Sequence, residues 1–203
     1  MTEIILASNN KNKALEIAHI FKGKKVRVLT LDEIGFKGDI KETGETLAQN
    51  AAIKARAVRK MAKGRIIIAD DSGLEVEYLA KAPGVYSARF AGPGCTYNDN
   101  NLKLLKLMHG VKKAQRKASF RTVICIVFPD GREAFAEGRV NGYISETVTG
   151  KQGFGYDPVF FYAPMKRTFA EMTFSQKNMV SHRRKASVKA WEIIKKELKK
   201  KTV

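Results

Sequence analysis

The chain combines short apolar runs with longer segments in which apolar residues recur every three or four positions. Short runs predict buried β-strands, and the spaced pattern predicts amphipathic helices. The predicted strands cover residues 3–7, 26–30, 65–69, 74–79, 119–128, 132–140 and 159–162. The predicted helices cover residues 11–21, 46–63 and 98–109 and a last segment that begins near Ser181. Such a mixture is typical of α/β or α+β proteins, with helices packed around a curved mixed sheet.

Turn residues mark several boundaries of these elements. Gly64 follows the Ala-rich helix and is a good C-terminal cap. The sequence Pro129-Asp130-Gly131 joins two strand-like runs and predicts a hairpin. In the last helix, one predicted apolar face consists of Val188, Trp191, Ile194 and Leu198.

Length and composition favour one cytoplasmic domain without a membrane span. The 203 residues suit one substantial domain or two small lobes, and 44% hydrophobic content excludes a disordered chain. No run approaches the roughly 20 apolar residues of a spanning helix, and the N-terminus does not have the pattern of a signal peptide. Cys95 and Cys125 form no CxxC pair, which argues against a zinc ribbon or a redox motif.

The chain is strongly basic. Its 38 Lys and Arg residues outnumber 20 Asp and Glu residues, for a net charge of +18. Half of this excess falls after position 163, mostly on the last predicted helix. Such a balance suits polyanionic partners, either nucleotides or nucleic acid, although an outward-facing row of lysines on a solvated helix has the same pattern.

The turn after the first strand carries a dense set of small polar and basic residues. Its backbone N–H groups, the positive end of the following helix and the Lys13 ammonium all suit a phosphate group. The segment is not a GxxxxGK[ST] loop, and an ordinary polar turn is the alternative interpretation. The candidate phosphate-binding residues are Ser8, Asn9, Asn10, Lys11, Asn12 and Lys13.

Two adjacent carboxylates, Asp70 and Asp71, follow the apolar run 65–69 and precede Ser72 and Gly73. Ligands gather at the carboxyl ends of strands in open α/β sheets. Neighbouring carboxylates there need a cation unless one of them stays protonated, and oxygen ligands favour Mg²⁺ over zinc. A solvated Asp-Asp-Ser-Gly turn is the alternative. Glu42 or Glu45 could supply a third carboxylate, and the sequence does not choose between them.

Two further segments suit the recognition of a flat, polar ring. In residues 153–158, Phe154 or Tyr156 could stack on a base, Gly155 permits a close approach, and Asp157 could accept a hydrogen bond from a ring N–H. The start of the last helix and the segment before it contain Lys177, His182 and Arg183. Because cations at a helix N-terminus oppose the helix dipole, these side chains are candidates for binding an anion or a carbonyl. The alternatives are a tight loop with buried aromatic rings and a solvated basic face.

Taken together, these motifs resemble the inosine triphosphate pyrophosphatases, which hydrolyse non-standard purine nucleoside triphosphates. The resemblance runs nearly end to end and in the family's order. It is carried by the segments SNNKNK, ETGETLAQNAAIKA, ADDSGLEV, PGVYSARF, GFGYDP and SHRRKA. Each motif is moderately specific, and their ordered combination is highly specific. Gln49 and Lys41 depart from the family's acidic pattern around the second segment.

The resemblance implies an elongated two-lobed α/β fold, usually a homodimer, with nucleotide in a cleft between the lobes. It also implies Mg²⁺-dependent cleavage of inosine, deoxyinosine or xanthosine triphosphate to the monophosphate and pyrophosphate. Asp71 would be the general base, and Glu42, Asp70 and Asp71 would surround the metal. The substrate-binding residues would be those of the 8–13 turn together with Lys54, Ser72, Phe154, Gly155, Tyr156, Asp157, Lys177, His182 and Arg183.

A nucleic-acid-binding module that uses the basic C-terminal segment is the competing hypothesis. Such binding would be strongly salt-dependent and would survive the loss of the Asp70-Asp71 pair. A phosphatase or pyrophosphatase for pyrimidine nucleotides on a related fold is a third hypothesis, which product analysis separates from the first.

Overall fold

A seven-stranded mixed sheet and five α-helices form the computed structural model, which describes residues 2–200. The strands are β1 Thr2–Leu6, β2 Val26–Leu29, β3 Ile66–Val76, β4 Lys117–Val127, β5 Glu133–Ile144, β6 Phe160–Tyr162 and β7 Arg167–Thr168. The helices are α1 Lys11–Phe21, α2 Leu47–Ala57, α3 Tyr97–Leu107, α4 Phe174–Val180 and α5 His182–Lys200. The strand order is β2-β1-β3-β4-β5-β6-β7, in which β1 is parallel to β2 and β3 while β6 is antiparallel to β5 and β7. The predicted α/β class with a mixed sheet is confirmed.

The chain divides into two compact units. The first unit contains the residues up to Asp71, residues 122–138 and the residues from Arg183 onward. The second unit contains residues 72–121 and 139–182. The chain passes from one unit to the other within β3, β4 and β5, and again between His182 and Arg183.

In the first unit, the apolar run of β1 is buried on both sides of the sheet. Ile4 and Leu6 pack into one cluster with α1 and α5, and Ile5 and Ala7 pack into another with α2. A strand covered on both faces is apolar at every position instead of alternating, which explains its sequence. The small residues Ala51 and Ala55 let α2 lie close to the sheet.

In the second unit, one apolar cluster joins the far ends of the long strands to α3. Leu74 and Val76 of β3 pack with Leu104 and Met108 of α3 and with aromatic side chains, among them Phe160. The rings of Phe120 and Phe160 are 4.6 Å apart at their centroids. This cluster supports the 153–158 segment, because Tyr156 and Val159 are part of it.

Several predicted boundaries were wrong. Residues 70–73 are not a turn: β3 continues through them to Val76, so both aspartates lie inside one strand. Helix α2 ends at Ala57 and is followed by a short 3₁₀ turn, Arg59–Met61. Helix α4 was not predicted, although Thr173 and Gln176 form a capping box at its start. Val188 is 39% exposed, and Ala186 and Ala190 take the buried face of α5 instead.

No helix in the described part of the chain has both the length and the apolar character needed to cross a membrane.

Candidate active site

The turn between β1 and α1 is ordered by hydrogen bonds to its own side chains. Asn10 caps α1 through a 3.1 Å hydrogen bond in which the Lys13 backbone N–H donates to Oδ1. The Asn10 N–H donates to the Ser8 hydroxyl at 3.3 Å. Ala7 donates to the carbonyl of Ile68 at 2.8 Å, so the turn begins beside β3. Lys11, Asn12 and Asn9 are exposed, and they make none of the contacts that order this turn.

Two carboxylates and one lysine meet at this turn. Asp70 is fully buried and Asp71 is 5% exposed. The Lys13 ammonium lies 3.7 Å from Asp70 Oδ2 and 3.9 Å from Asp71 Oδ1. Lys13 and the aspartate pair therefore lie together in the first unit.

Helix α2 contributes a second lysine and an amide to the same cluster. Lys54 donates to Asp71 Oδ1 at 3.2 Å and to Glu42 Oε1 at 3.0 Å. Asn50, one helical turn earlier on the same face, donates to Asp71 Oδ2 at 3.3 Å. Asn50 Oδ1 accepts the Gly44 N–H at 2.8 Å, which ties the loop before α2 to this helix.

The structure brings Glu42 into this cluster and leaves Glu45 exposed. Gln49 completes a capping box with Thr46, and its Oε1 accepts hydrogen bonds from the backbone N–H groups of Glu45 and Thr46. A glutamine at this position thus caps α2 at its N-terminus.

Arg183 anchors the other carboxylate. Its guanidinium donates from Nε to Asp70 Oδ2 at 3.2 Å and from a terminal nitrogen to Glu16 Oε2. Arg183 is 1% exposed and Glu16 is 3% exposed, so this is a buried ion-pair network. The family resemblance assigned Arg183 to the base, and in the structure its guanidinium contacts Asp70 and Glu16.

The surroundings push the pKa values of the two aspartates in opposite directions. Burial raises the pKa of Asp71, and the attraction of Lys54 and Lys13 offsets only part of that rise. Burial also acts on Asp70, but Lys13, Arg183 and Lys54 hold its pKa well below the ordinary value. Two carboxyl groups with pKa values shifted in opposite directions are typical of sites where one acid transfers a proton and the other keeps its charge.

Burial lowers the pKa of Lys13. Burial also acts on Lys54, but the attraction of the carboxylates of Asp71, Asp70 and Glu42 is stronger and raises its pKa. The cluster therefore contains one lysine that releases its proton more easily than usual and one that holds it firmly. Both ammonium groups are donors without acceptor capacity, which suits a polyphosphate.

The residues present fit Mg²⁺ that arrives with a phosphate ligand. Within residues 2–200, no group of three or more Asp, Glu, His or Cys side chains is arranged to hold a metal ion alone. Glu42 and Asp71 nevertheless contact the same ammonium group. Mg²⁺ commonly binds through one or two carboxylates together with substrate phosphates, so two hard oxygen donors are sufficient. Asp70 is less suited, because Arg183 already holds its Oδ2.

The second unit contains the 153–157 loop, which is folded around a buried carboxylate. The Phe154 N–H donates to Asp157 Oδ2 at 2.8 Å, and Lys177 pairs with the same oxygen. Gly153 has φ +76°, and a β-carbon there would collide with the Asp157 carboxylate. Glycine is therefore required at this position by both conformation and space.

Lys177 joins this carboxylate to the Phe154 ring. Its ammonium lies 4.5 Å from the ring centroid, and the residue is only 4% exposed. His182 stacks on Phe120 with centroids 4.5 Å apart and an angle of 13°. The structure thus gathers Phe154, Asp157 and Lys177, while His182 lies against an aromatic ring of the same unit.

Two hydrogen bonds to residues outside the loop fix its path. The Tyr156 hydroxyl donates to the Ser87 carbonyl at 2.9 Å, and Asn101 of α3 donates to the Gly155 carbonyl at 3.0 Å. The Ser87 hydroxyl in turn accepts the Leu74 N–H at 2.9 Å. These bonds connect the loop to α3 and β3.

Residues 4–193 match the model of the Ham1 family. The chain belongs to the Ham1 family. A protein of Caldanaerobacter subterraneus subsp. tengcongensis named dITP/XTP pyrophosphatase is 48% identical over 198 residues, which cover 98% of each chain. The dITP/XTP pyrophosphatase of Bacillus subtilis is 42% identical over 194 residues, or 96% of this chain and 98% of that one.

Solved structures of Ham1 proteins support the same assignment. The Ham1 protein of Staphylococcus aureus superposes with a TM-score of 0.85 at 37% identity and covers 97% of this chain and all of its own. A Ham1 protein of Coxiella burnetii gives a TM-score of 0.84 at 36% identity, again over 97% of this chain.

Sequence reasoning missed several residues of this Ham1 chain that shape the two clusters. Asn50 and Glu16 contact the groups around the aspartates, and Ser87 and Asn101 hold the 153–157 loop. Only Asn50 had a usable signal, because it lies four residues before Lys54 on a predicted helix. Ser72, also assigned to the substrate, is half-buried at the start of the second unit.

Proposed function

We propose that this protein hydrolyses deoxyinosine, inosine and xanthosine triphosphates to the nucleoside monophosphate and pyrophosphate. The observation that carries the proposal is the buried Asp71 carboxylate within 3.9 Å of two lysine ammonium groups. The relatives named dITP/XTP pyrophosphatase support the substrate class.

In the proposed reaction, Asp71 acts as the general base. It accepts a proton from a water molecule as the oxygen attacks the α-phosphorus and the bond to the bridging oxygen breaks. A raised pKa brings a carboxylate closer to the operating pH and makes it a better proton acceptor. Asp70, with its lowered pKa, keeps its negative charge and holds Lys13 in position.

The phosphate chain is assigned to the 8–13 turn, Lys13 and Lys54. Negative charge increases on the leaving pyrophosphate, and prepositioned ammonium groups stabilise it without reorganisation. When bound, Mg²⁺ would be held by Asp71 and Glu42 and would neutralise phosphate oxygens.

The purine is assigned to Phe154, Asp157, Lys177 and His182. The purine ring stacks on Phe154, and the polar groups of this cluster form hydrogen bonds with its edge. A base with an amino group at position 6 leaves a donor intended for a 6-oxo group unpaired, which costs about 1–3 kcal/mol for a buried group.

A nucleotide panel tests the proposal. Deoxyinosine, inosine and xanthosine triphosphates are each compared with the adenine and guanine triphosphates, with and without Mg²⁺. We expect pyrophosphate and monophosphate from the 6-oxo non-standard purines and much slower turnover of adenine nucleotides. Release of orthophosphate, or equal turnover of all five nucleotides, would contradict the proposal.

Tyr156→Phe tests whether the 153–157 loop recognises the base. The change removes one hydroxyl and its bond to the Ser87 carbonyl, worth about 1 kcal/mol. We expect a KM for deoxyinosine triphosphate that rises by up to about tenfold, a kcat near the wild-type value and a smaller preference over deoxyadenosine triphosphate. Steady-state kinetics on both substrates measures this.

Tyr78→Phe is the matched control, because Tyr78 belongs to the same unit and is 52% exposed. It should leave both KM values unchanged. Equal kinetics of Tyr156→Phe and wild type on the two substrates would remove the loop from base recognition.

The homodimer implied by the family resemblance and the cytoplasmic location favoured by the composition are part of this proposal. Sedimentation equilibrium of the full chain would test the dimer directly.

A further inference from the structure

The outward face of α5 is a nearly continuous row of lysines. Its apolar face packs into the first unit through Ala186, Ala190 and Ile194. Eight positions of the helix are exposed, and six of them are lysine. They are Lys185, Val188, Lys189, Glu192, Lys195, Lys196, Lys199 and Lys200.

A second basic segment lies beside this face. The turn between α1 and β2 contains Lys22, Lys24 and Lys25, and no acidic residue occurs between Glu16 and Asp32. The Lys24 ammonium is 5.8 Å from the centroid of the Trp191 ring on α5. Two segments far apart in sequence therefore form one surface, which we call the α5 basic surface.

The lysines of this surface differ from four arginines of the same unit that form ion pairs. Arg27 pairs with Glu33, Arg56 with Glu133, Arg65 with Glu3 and Arg132 with Asp130. In contrast, several lysines of the surface form no ion pair with any residue between positions 2 and 200. These are Lys22, Lys25, Lys189, Lys195, Lys196, Lys199 and Lys200.

We propose that the α5 basic surface binds the phosphate backbone of double-stranded DNA without sequence specificity. From Lys189 to Lys200 the helix rises about 16 Å, which corresponds to about five base pairs of duplex. Lysines contact phosphates as point charges and release the counterions condensed on DNA, which drives such binding. The proposal does not depend on the nucleotide chemistry at Asp71.

The composition of the surface favours duplex DNA over other polyanions. Helices that bind membranes insert Trp, Phe or Leu, whereas the only exposed apolar side chain on this face of α5 within the described residues is Val188. Single strands are bound by stacking on exposed aromatic rings, and the exposed positions of this face include none.

The test is fluorescence anisotropy of a labelled DNA duplex with the full chain across a salt series. The α5 variant combines Lys189→Gln, Lys195→Gln, Lys196→Gln and Lys199→Gln. The control variant combines Lys106→Gln, Lys112→Gln, Lys113→Gln and Lys117→Gln, which removes the same charge from exposed lysines of the second unit.

For wild type, we expect a plot of log binding constant against log salt concentration to have a slope of about −4 or steeper. In the α5 variant, the slope should be less steep by about 3 to 4. Its affinity at low salt should fall by at least about tenfold, while the control variant stays near wild type. Far-ultraviolet circular dichroism and the urea unfolding midpoint of both variants serve as the check that they are folded.

An equal loss in the two variants would overturn the proposal, since net charge alone would then explain the binding. Absence of saturable DNA binding by wild type would also overturn it. Tighter α5-dependent binding to phosphatidylserine vesicles, or to an RNA duplex of the same length, would assign the surface to that ligand instead.

Discussion

Asp71→Asn is expected to abolish turnover while the nucleotide still binds. Asparagine keeps the size of the side chain and an acceptor oxygen for Lys54, but it does not accept a proton from water. General-base catalysis contributes about 10²- to 10⁴-fold, so kcat for deoxyinosine triphosphate should fall by at least about 100-fold. Stopped-assay kinetics gives kcat, and calorimetric titration of the variant gives nucleotide affinity.

The control for this variant is Asp39→Asn, which makes the same chemical change at an exposed position of the first unit. It should leave kcat unchanged. If Asp71→Asn kept a kcat close to wild type, another group would have to be the base. If it lost nucleotide binding together with kcat, Asp71 would contribute to binding and the test would count against the assignment.

Arg183→Met is expected to cause the largest loss of stability in the first unit. The guanidinium is 1% exposed and pairs with two buried carboxylates, Glu16 and Asp70. Removal of one partner from a buried ion pair leaves uncompensated charge and typically costs about 3–5 kcal/mol of unfolding free energy. Urea denaturation of wild type and variant at neutral pH measures the difference.

Arg56→Met is the matched control, because Arg56 forms a two-pronged pair with Glu133 at 2.6 and 2.7 Å but is largely exposed. Exposed pairs contribute at most about 1 kcal/mol, so burial and not geometry should decide the outcome. Equal losses for the two variants would contradict this account of Arg183.

The cost of Arg183→Met should also depend on pH. Because the pKa of Asp70 is lowered in the fold, the carboxylate stabilises wild type above the ordinary value of 3.8, and this stabilisation is lost as pH falls toward its folded value. Without the guanidinium, the pKa of Asp70 moves upward and protonation relieves the buried charge. The difference between the two proteins should therefore shrink as pH falls from about 7 to about 3.

Much of the fold could be predicted from local pattern, and the errors have physical causes. The bounds of α1 were predicted because its apolar spacing and its asparagine cap agree. The extent of β3 was missed because Asp, Ser and Gly have turn propensity, which pairing within the sheet overrides. Val188 was misplaced because Ala186 and Ala190 fill the narrow space against the sheet better than a larger side chain.

The candidate site was predictable where its residues are adjacent in sequence, as for Asp70 and Asp71. Residue pattern alone did not predict the partners that arrive from distant segments, and the family resemblance supplied Lys54 and Glu42 but not Glu16 or Asn50. The role of Arg183 depends on Glu16, which lies 167 positions away and has no motif of its own. The residues alone left Glu42 and Glu45 open, because the choice depends on which side chain reaches Lys54, a matter of loop path and not of residue type.

Hydrolysis in water labelled with heavy oxygen tests the central claim most directly. In a single turnover of deoxyinosine triphosphate, mass spectrometry locates the labelled oxygen among the products. Attack at the α-phosphorus by water that Asp71 deprotonates predicts label in the nucleoside monophosphate and none in pyrophosphate. Label in pyrophosphate or orthophosphate would contradict it.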